Sequence, residues 1–308
     1  MRRALIVVNP TATTTTVRGR DVLVRALASE AKVEVEVTTH RGHAGALAVR
    51  AARDGVDVVV ALGGDGTVNE VVNGILTDGL RPGLPALAVV PGGSTNVFAR
   101  TLGIPDQTIE ATGQILDALR EGRSRSIGLG RAGDRWFTFT AGLGYDAEVV
   151  RRVERRRRAG DGLTHTRYAR TALTHFATRY DRRHPAITLE RPGEEPVPRV
   201  YYAIVSNTAP WTFFRGRPLH TSPAASYETG LDLFAPRTMR TVPTIRLASQ
   251  VWRGGAGPRG RRVVQLHDLH SFTLRAEPAL AFQVDGDDLG DRDVVHFAAV
   301  PDALRVLV

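Results

Sequence analysis

The sequence predicts an α/β protein of two domains: an N-terminal one built on a parallel sheet, and a C-terminal one that is antiparallel, β-rich and sandwich-like. Three observations carry this. Apolar strand-like runs alternate with helical patterns from residue 1 to about 128, as in a parallel sheet with crossover helices. Beyond that point short alternating runs separated by turns take over, the pattern of an antiparallel sheet. The 308 residues exceed what one average core accommodates and suffice for two.

Residues 1–9 read as a buried strand, Ala4-Leu5-Ile6-Val7-Val8, running into a polar loop, and 20–30 carry apolar residues at helical spacing. Val33, Val35 and Val37 alternate with polar residues in a half-exposed strand, 44–52 is helical, and 56–62 is an apolar strand. A helix over 68–75, a strand over 86–90 and helices over 97–102 and 109–120 continue the alternation. The first domain is therefore expected to be Rossmann-like, with any ligand outside the carboxyl ends of its strands. In the second half, strands are expected over 136–141, 186–189, 200–206, 231–235, 263–266, 271–275 and 280–284, with helices over 146–158, 167–181 and 241–252. A last strand over 304–308 is expected to return to the first domain, whose bounds are then 1–128 plus 296–308, with 129–295 as the second domain. No internal repeat is visible.

The chain has no cysteine, which excludes disulfides, thiolate catalysis and cysteine-ligated metal centres. It holds 41 basic and 32 acidic residues for a net charge of +9, and Lys32 is its only lysine, so the positive charge is arginine. Such an excess fits either a compositional bias or attraction to phosphates and an anionic membrane face. No apolar run is long enough to cross a bilayer, and no small-residue cleavage site follows the apolar stretch near Met1. The expected location is cytoplasmic.

Two glycine-rich turns carry the chemistry. Gly63-Gly64-Asp65-Gly66-Thr67 and Pro91-Gly92-Gly93-Ser94-Thr95-Asn96 each follow an apolar run and open a helical pattern. Glycine allows close approach to a phosphate, and the helix behind it supplies free N–H groups at its positive end. Asp65 stands out, because a carboxylate beside a polyphosphate is repelled unless it meets Mg²⁺, a water on it, or a substrate hydroxyl. Alone, the first block reads equally as a tight turn with Asp65 as a cap. The second adds the hydroxyls of Ser94 and Thr95 and the Asn96 amide one strand later, and the pair reads as a nucleotide-phosphate site. No Gly-x-x-x-x-Gly-Lys occurs, and Gly142-x-Gly144 lacks the third glycine of a dinucleotide fingerprint.

These blocks, extended to Val68-Asn69-Glu70 and to Val97-Phe98-Ala99-Arg100, resemble the two signature segments of the diacylglycerol kinase catalytic-domain family, which includes soluble bacterial lipid kinases and sphingosine kinases. The first segment is shared with NAD kinases, so the second carries the specificity. Asn9-Pro10 after the first strand, Thr38 ahead of Gly42-His43-Ala44, and Asp285-Gly286-Asp287 extend the resemblance. It implies that ATP meets Asn9, Pro10, Thr38, Gly63, Gly64, Asp65, Gly66, Thr67, Asn69, Glu70, Gly93, Ser94 and Asn96. It also implies that Asp65 organises Mg²⁺ with the phosphates and that Asp287 is the general base on a lipid hydroxyl. An acceptor hydroxyl does need a carboxylate to take its proton.

Three positions depart from the family pattern. Asp287 stands where the family usually has Glu, Thr229 where an Asp would bind a structural Mg²⁺, and residues 11–16 replace the usual Ser-Gly. The expected activity is transfer of the γ-phosphoryl group of ATP to a lipid, foremost diacylglycerol. The alternatives are another lipid, NAD, or a nucleotide-binding regulator without turnover. Expected partners are the lipid substrate and the inner face of an anionic membrane, met peripherally, with no nucleic acid; a homodimer is compatible.

The densest charge run, residues 151–158, reads as a solvated helix end, a contact for anionic lipid, or a neutraliser of the transferred phosphate. Trp211, Phe213 and Phe214, followed by Arg215 and Arg217, read as a core cluster or an interfacial lip. The acidic stretch 285–291 does not fit a calcium loop, since Leu289 occupies a ligand position and His296 replaces the closing Glu. The nine histidines show no metal-ligand pairing.

Overall fold

The computed structural model describes residues 1–158, 184–255 and 257–308. The chain divides into two compact units, Met1–Gly128 with Asp302–Val308, and Leu129–Pro301.

In the first unit the strands β1 (Arg2–Val8), β2 (Ala31–Val37), β3 (Val58–Gly63) and β4 (Ala86–Pro91) lie parallel in the order β2-β1-β3-β4. β3 and β4 are buried along their whole length, as strands covered on both faces must be, and their unbroken apolar composition follows from that. The register places Val8 beside Val37 and Leu62, and Gly63 beside Pro91. The carboxyl ends of all four strands are therefore level. The connections leave that edge into α1 (Val17–Leu27), α2 (His43–Arg53), α3 (Asp65–Ile75) and the short α4 (Val97–Thr101), which α5 (Thr108–Glu121) follows. Thr16 caps α1 by accepting from the Gly19 N–H at 3.0 Å, and Gly122 ends α5 in the left-handed conformation. α2 and α3 meet backbone to backbone at Gly45 and Gly74: a Cβ on Gly74 would stand 2.3 Å from the Gly45 carbonyl oxygen. Only glycine permits that approach.

The second unit is antiparallel. β7 (Thr140–Leu143) lies between β10 (Ala203–Ser206) and β15 (Ser271–Val284); β10 continues to β13 (Leu231–Pro236) and β14 (Val263–Leu269). β15 also pairs with β8 (Ile187–Glu190), which pairs with β9 (Val197–Val200), and along its length with β16 (Asp287–Val306). β5 (Arg125–Ala132) and β6 (Arg135–Phe137) form a hairpin, as do β11 (Thr212–Phe214) and β12 (Arg217–Leu219). Two helices complete the described elements: α6 (Tyr145–Arg158) and α7 (Thr241–Arg253). The core is apolar and aromatic, with Phe272, Phe282 and Phe137 around Phe297 at ring separations of 5.0–6.4 Å.

The mixed α/β class with a parallel core and an antiparallel β-rich second part is what the sequence predicts. Several bounds differ. The strand expected at 136–141 breaks into β6 and β7, and that at 200–206 into β9 and β10. The runs 271–275 and 280–284 join into one strand through a register shift between Arg275 and Leu280. The segment that rejoins the first unit starts at Asp302 and not at 296, because residues 294–298 still pair with β15. Pro301 and the left-handed Asp302, φ 49°, mark the departure. The helix expected at 167–181 lies outside the described residues.

Candidate active site

The level strand ends of the first unit bring the loop after β1, the start of α3 and the turn after β4 together. The Asn9 N–H donates to the Leu62 carbonyl at 2.9 Å, and the Asn9 amide donates to Thr67 Oγ1 at 2.9 Å while its oxygen accepts from the Thr11 N–H and hydroxyl at 3.0 and 2.8 Å. One side chain thus ties the first loop to the first turn of α3. Thr38 N–H donates to the Val8 carbonyl at 2.8 Å, and Glu70 accepts from the Gly42 N–H at 2.8 Å, fixing the start of α2.

The two glycine turns are pressed against each other. The Gly92 N–H donates to the Gly63 carbonyl at 2.8 Å. A Cβ on Gly93 would stand 2.8 Å from both the Gly64 Cα and Asn96 Oδ1, and one on Gly63 would meet Thr67 Oγ1 at 2.6 Å. These glycines, expected from the sequence to let a phosphate approach closely, are already required by the packing of one turn on the other. Asp65 locks the pair: its carboxylate accepts from the Val97 N–H at 3.0 Å and the Phe98 N–H at 3.1 Å. It therefore caps α4, the helix of the other turn, and its oxygens are engaged by the fold.

Asn96, left-handed at φ 49°, closes its own turn by accepting from the Gly93 N–H and donating to the Gly93 carbonyl, both at 2.9 Å. Its amide, expected to reach a phosphate, is committed locally. Asn69 is fully buried and accepts from Asn73, so it supports α3 from inside and does not present itself to a ligand. What this edge does present is the N-terminus of α3, where Gly64 makes no side-chain cap, together with the exposed Ser94 and the half-buried Gly66 and Gly93.

In the second unit, Asp285 and Gly286 form the two-residue turn between β15 and β16, both with positive φ, 48° and 84°, the geometry of a type I′ hairpin. The Asp285 carboxylate is buried and accepts four hydrogen bonds, from the Thr138 N–H and hydroxyl and from the Phe139 and Thr140 N–H groups, at 2.7–3.0 Å. Burial pushes its pKa up while those bonds pull it down. Asp285 is the anchor of the hairpin and Asp287, half-buried, opens β16 beside Val284.

Sequence reasoning misses the support behind this hairpin. Gln283 is buried, accepts from the Gly286 N–H at 2.9 Å and donates to Asp146 Oδ2 at 2.8 Å. Asp146, buried on α6, has its pKa pushed up to about 6 by desolvation, against the pull of the Gln283 bond. Gly142 makes room for this carboxylate: a Cβ there would come within 2.4 Å of Asp146 Oδ2. Arg151 adds a second tie from α6, to Asp288 at 3.1 Å and Asp291 at 2.7 Å. The first arginine of the dense run is thus a structural clamp, not a solvated end; the side chains of Arg157 and Arg158 lie outside the described residues.

The segment resembling a structural Mg²⁺ site does not fit the ion. Thr229 Oγ1 donates to the Ser226 carbonyl at 3.1 Å, the Gly230 N–H donates to Asp268 at 2.6 Å, and Asp232 lies 2.7 Å from His267 Nδ1. Its polar groups satisfy one another. Among the described residues no group of three or more His, Asp and Glu is disposed to hold a metal.

Residues 3–132 match the model of the diacylglycerol kinase catalytic domain, which bears out the resemblance carried by the two glycine blocks. Diacylglycerol kinase of Bacillus subtilis (strain 168) is 36% identical over 158 residues, 49% of this chain and 48% of that protein. Diacylglycerol kinase of Staphylococcus aureus (strain JH9) is 36% identical over 157 residues, 48% of this chain and 45% of that protein. The chain spans about half the length of the curated relatives it matches. A crystal structure of a diacylglycerol kinase from Bacillus anthracis str. Sterne shares the fold, with a TM-score of 0.71 at 19% identity over 99% of this chain and 96% of that one. No described helix is long and apolar enough to cross a membrane.

Proposed function

We propose that this protein is an ATP-dependent lipid kinase that moves the γ-phosphoryl group of ATP to a lipid hydroxyl, foremost that of diacylglycerol, yielding phosphatidic acid and ADP. The observation that carries the reading is the convergence of the uncapped α3 N-terminus and the two interlocked glycine turns at one sheet edge. It is supported by the similarity of residues 3–132 to the diacylglycerol kinase catalytic domain.

In this reading the N–H groups opening α3 and the Ser94 hydroxyl hold the ATP phosphates, where the helix dipole favours negative charge. Asn9 and Thr67 fix the loop over them, and Thr38 and Glu70 set the adjacent wall. Asp65 is a positioning residue that holds the second turn against the first. Mg²⁺ bound to the nucleotide would supply charge neutralisation at the phosphate oxygens. Asp287 is the base in this reading: it takes the proton of the lipid hydroxyl as that hydroxyl's oxygen bonds to Pγ and the bond to the ADP oxygen breaks. Asp285, Gln283 and Arg151 hold the hairpin that carries it. The protein works peripherally at the inner face of the membrane.

Asp287→Asn tests the assignment. The variant is expected to bind ATP as the parent does and to lose about a hundredfold or more in phosphoryl transfer. Full turnover would remove Asp287 as the base.

A further inference from the structure

We propose that α7 and the β11–β12 hairpin together form the surface by which this protein docks on an anionic lipid bilayer, with the apolar stripe of α7 entering the headgroup boundary. The inference deepens the lipid-kinase reading and rests on it for its purpose.

α7 exposes its apolar residues and not its polar ones alone. Val242 is 78% exposed, Ile245 60% and Trp252 48%, while Leu247 is buried. At 100° per residue, Val242, Ile245, Ala248 and Trp252 fall within an arc of about 120°, with Leu247 on the opposite side. Ala248 is exposed as well. Three of the large exposed apolar side chains of the chain thus lie on one helix face, which is the signature of an interaction surface and not of scattered exposure.

The hairpin extends this face. Phe214 packs edge-on against Trp252 at 5.4 Å, the Arg217 guanidinium lies 5.3 Å from the Trp252 ring centroid, and Arg217 also donates to the Arg253 carbonyl at 3.2 Å. Trp252 is held by an aromatic edge and a cation, so it is presented in a fixed orientation. Arg215 and Gly216, both with positive φ, 49° and 80°, make the hairpin turn and put Arg215 at its tip.

Charge selects the occupant. From Leu233 to His267 the sequence has seven arginines and no acidic residue, and from Pro196 to Tyr227 again no acid. Arg215, Arg217, Arg240, Arg246 and Arg253, on α7, its flank and the hairpin, are all exposed. Apolar residues with a tryptophan on one face and arginines beside them are what an interfacial helix needs: the rings and aliphatic chains enter the acyl boundary while guanidinium groups meet lipid phosphates. A second copy of the chain would place these arginines against one another.

The test is co-sedimentation of the full chain with vesicles of phosphatidylglycerol and phosphatidylcholine in equal parts, compared with phosphatidylcholine alone. The parent is expected to bind the anionic vesicles, and less so as salt shortens the screening length. The V242E/I245E pair, at exposed positions, is expected to keep the parent's thermal transition and to lose about tenfold or more in partitioning. R246Q/R253Q, which leaves the stripe intact, is expected to lose binding mainly at low salt. Unchanged binding in both pairs, or a shift from dimer to monomer in V242E/I245E with vesicle binding intact, would overturn the proposal. Because the readout is binding and not turnover, failure of the docking surface and failure of the kinase reading are separable.

Discussion

Replacing Asp146 by Asn should change how the stability of the second unit depends on pH. Asp146 is buried, and its pKa stands at about 6 against an ordinary 3.8. A carboxyl whose pKa is raised by folding stabilises the native state fully below the ordinary value, where it is protonated in both states. That contribution is lost as pH rises through about 6, since the native state must then hold a buried anion. A gap of about two pH units at about 1.4 kcal/mol each makes the loss about 3 kcal/mol, most of it between about pH 4 and pH 7. Asn keeps an oxygen to accept from Gln283 and never ionises. The difference in unfolding free energy between Asp146→Asn and the parent, measured by urea titration at a series of pH values, should grow from near zero at about pH 4 to about 3 kcal/mol at about pH 7.5 in favour of the variant. Parallel curves for the two proteins would refute the argument and would mean that Asp146 is solvated or differently paired.

Three further perturbations follow from the same geometry. Gly93→Ala puts a Cβ 2.8 Å from the Gly64 Cα and from Asn96 Oδ1; it should lower stability by about 1–3 kcal/mol and weaken ATP binding, as read by nucleotide titration. Asp65→Asn loses the charge that caps α4 and one of its two accepting oxygens, and should cost about 1–2 kcal/mol, seen as a lower thermal midpoint without nucleotide. Arg151→Ala removes the ties to Asp288 and to the largely exposed Asp291 and should cost about 1 kcal/mol, read as faster hydrogen exchange at the β15–β16 turn than in the parent.

The parallel half of the fold is legible in the sequence because β3 and β4 are buried on both faces and read as unbroken apolar runs, while α2 and α3 carry apolar residues at helical spacing. The start of β16 is not legible, since Asp287-Asp288-Leu289-Gly290-Asp291 is too acidic to read as a strand, yet Asp287, Asp288 and Asp291 pair with β15, and Arg151 bridges Asp288 and Asp291. Among the site residues, the strand-end positions come together as expected, since a glycine turn after a strand has few places to go. The roles of individual side chains are less legible. Asp65, Asn96 and Asn69 all look outward in a one-dimensional motif, but each spends its polar atoms on a neighbour distant in space or on its own turn. Asp146 escapes notice because nothing in a helical segment distinguishes a buried carboxylate from a solvated one.

The most direct test of the account is transfer of radiolabelled γ-phosphate from Mg·ATP in mixed micelles to diacylglycerol, monoacylglycerol, sphingosine or NAD, with Asp287→Asn alongside. Label in phosphatidic acid that is lost in Asp287→Asn, with ATP binding retained, is the predicted result. Label in NAD with none in any lipid, or ATP binding with no transfer to any acceptor, would contradict it.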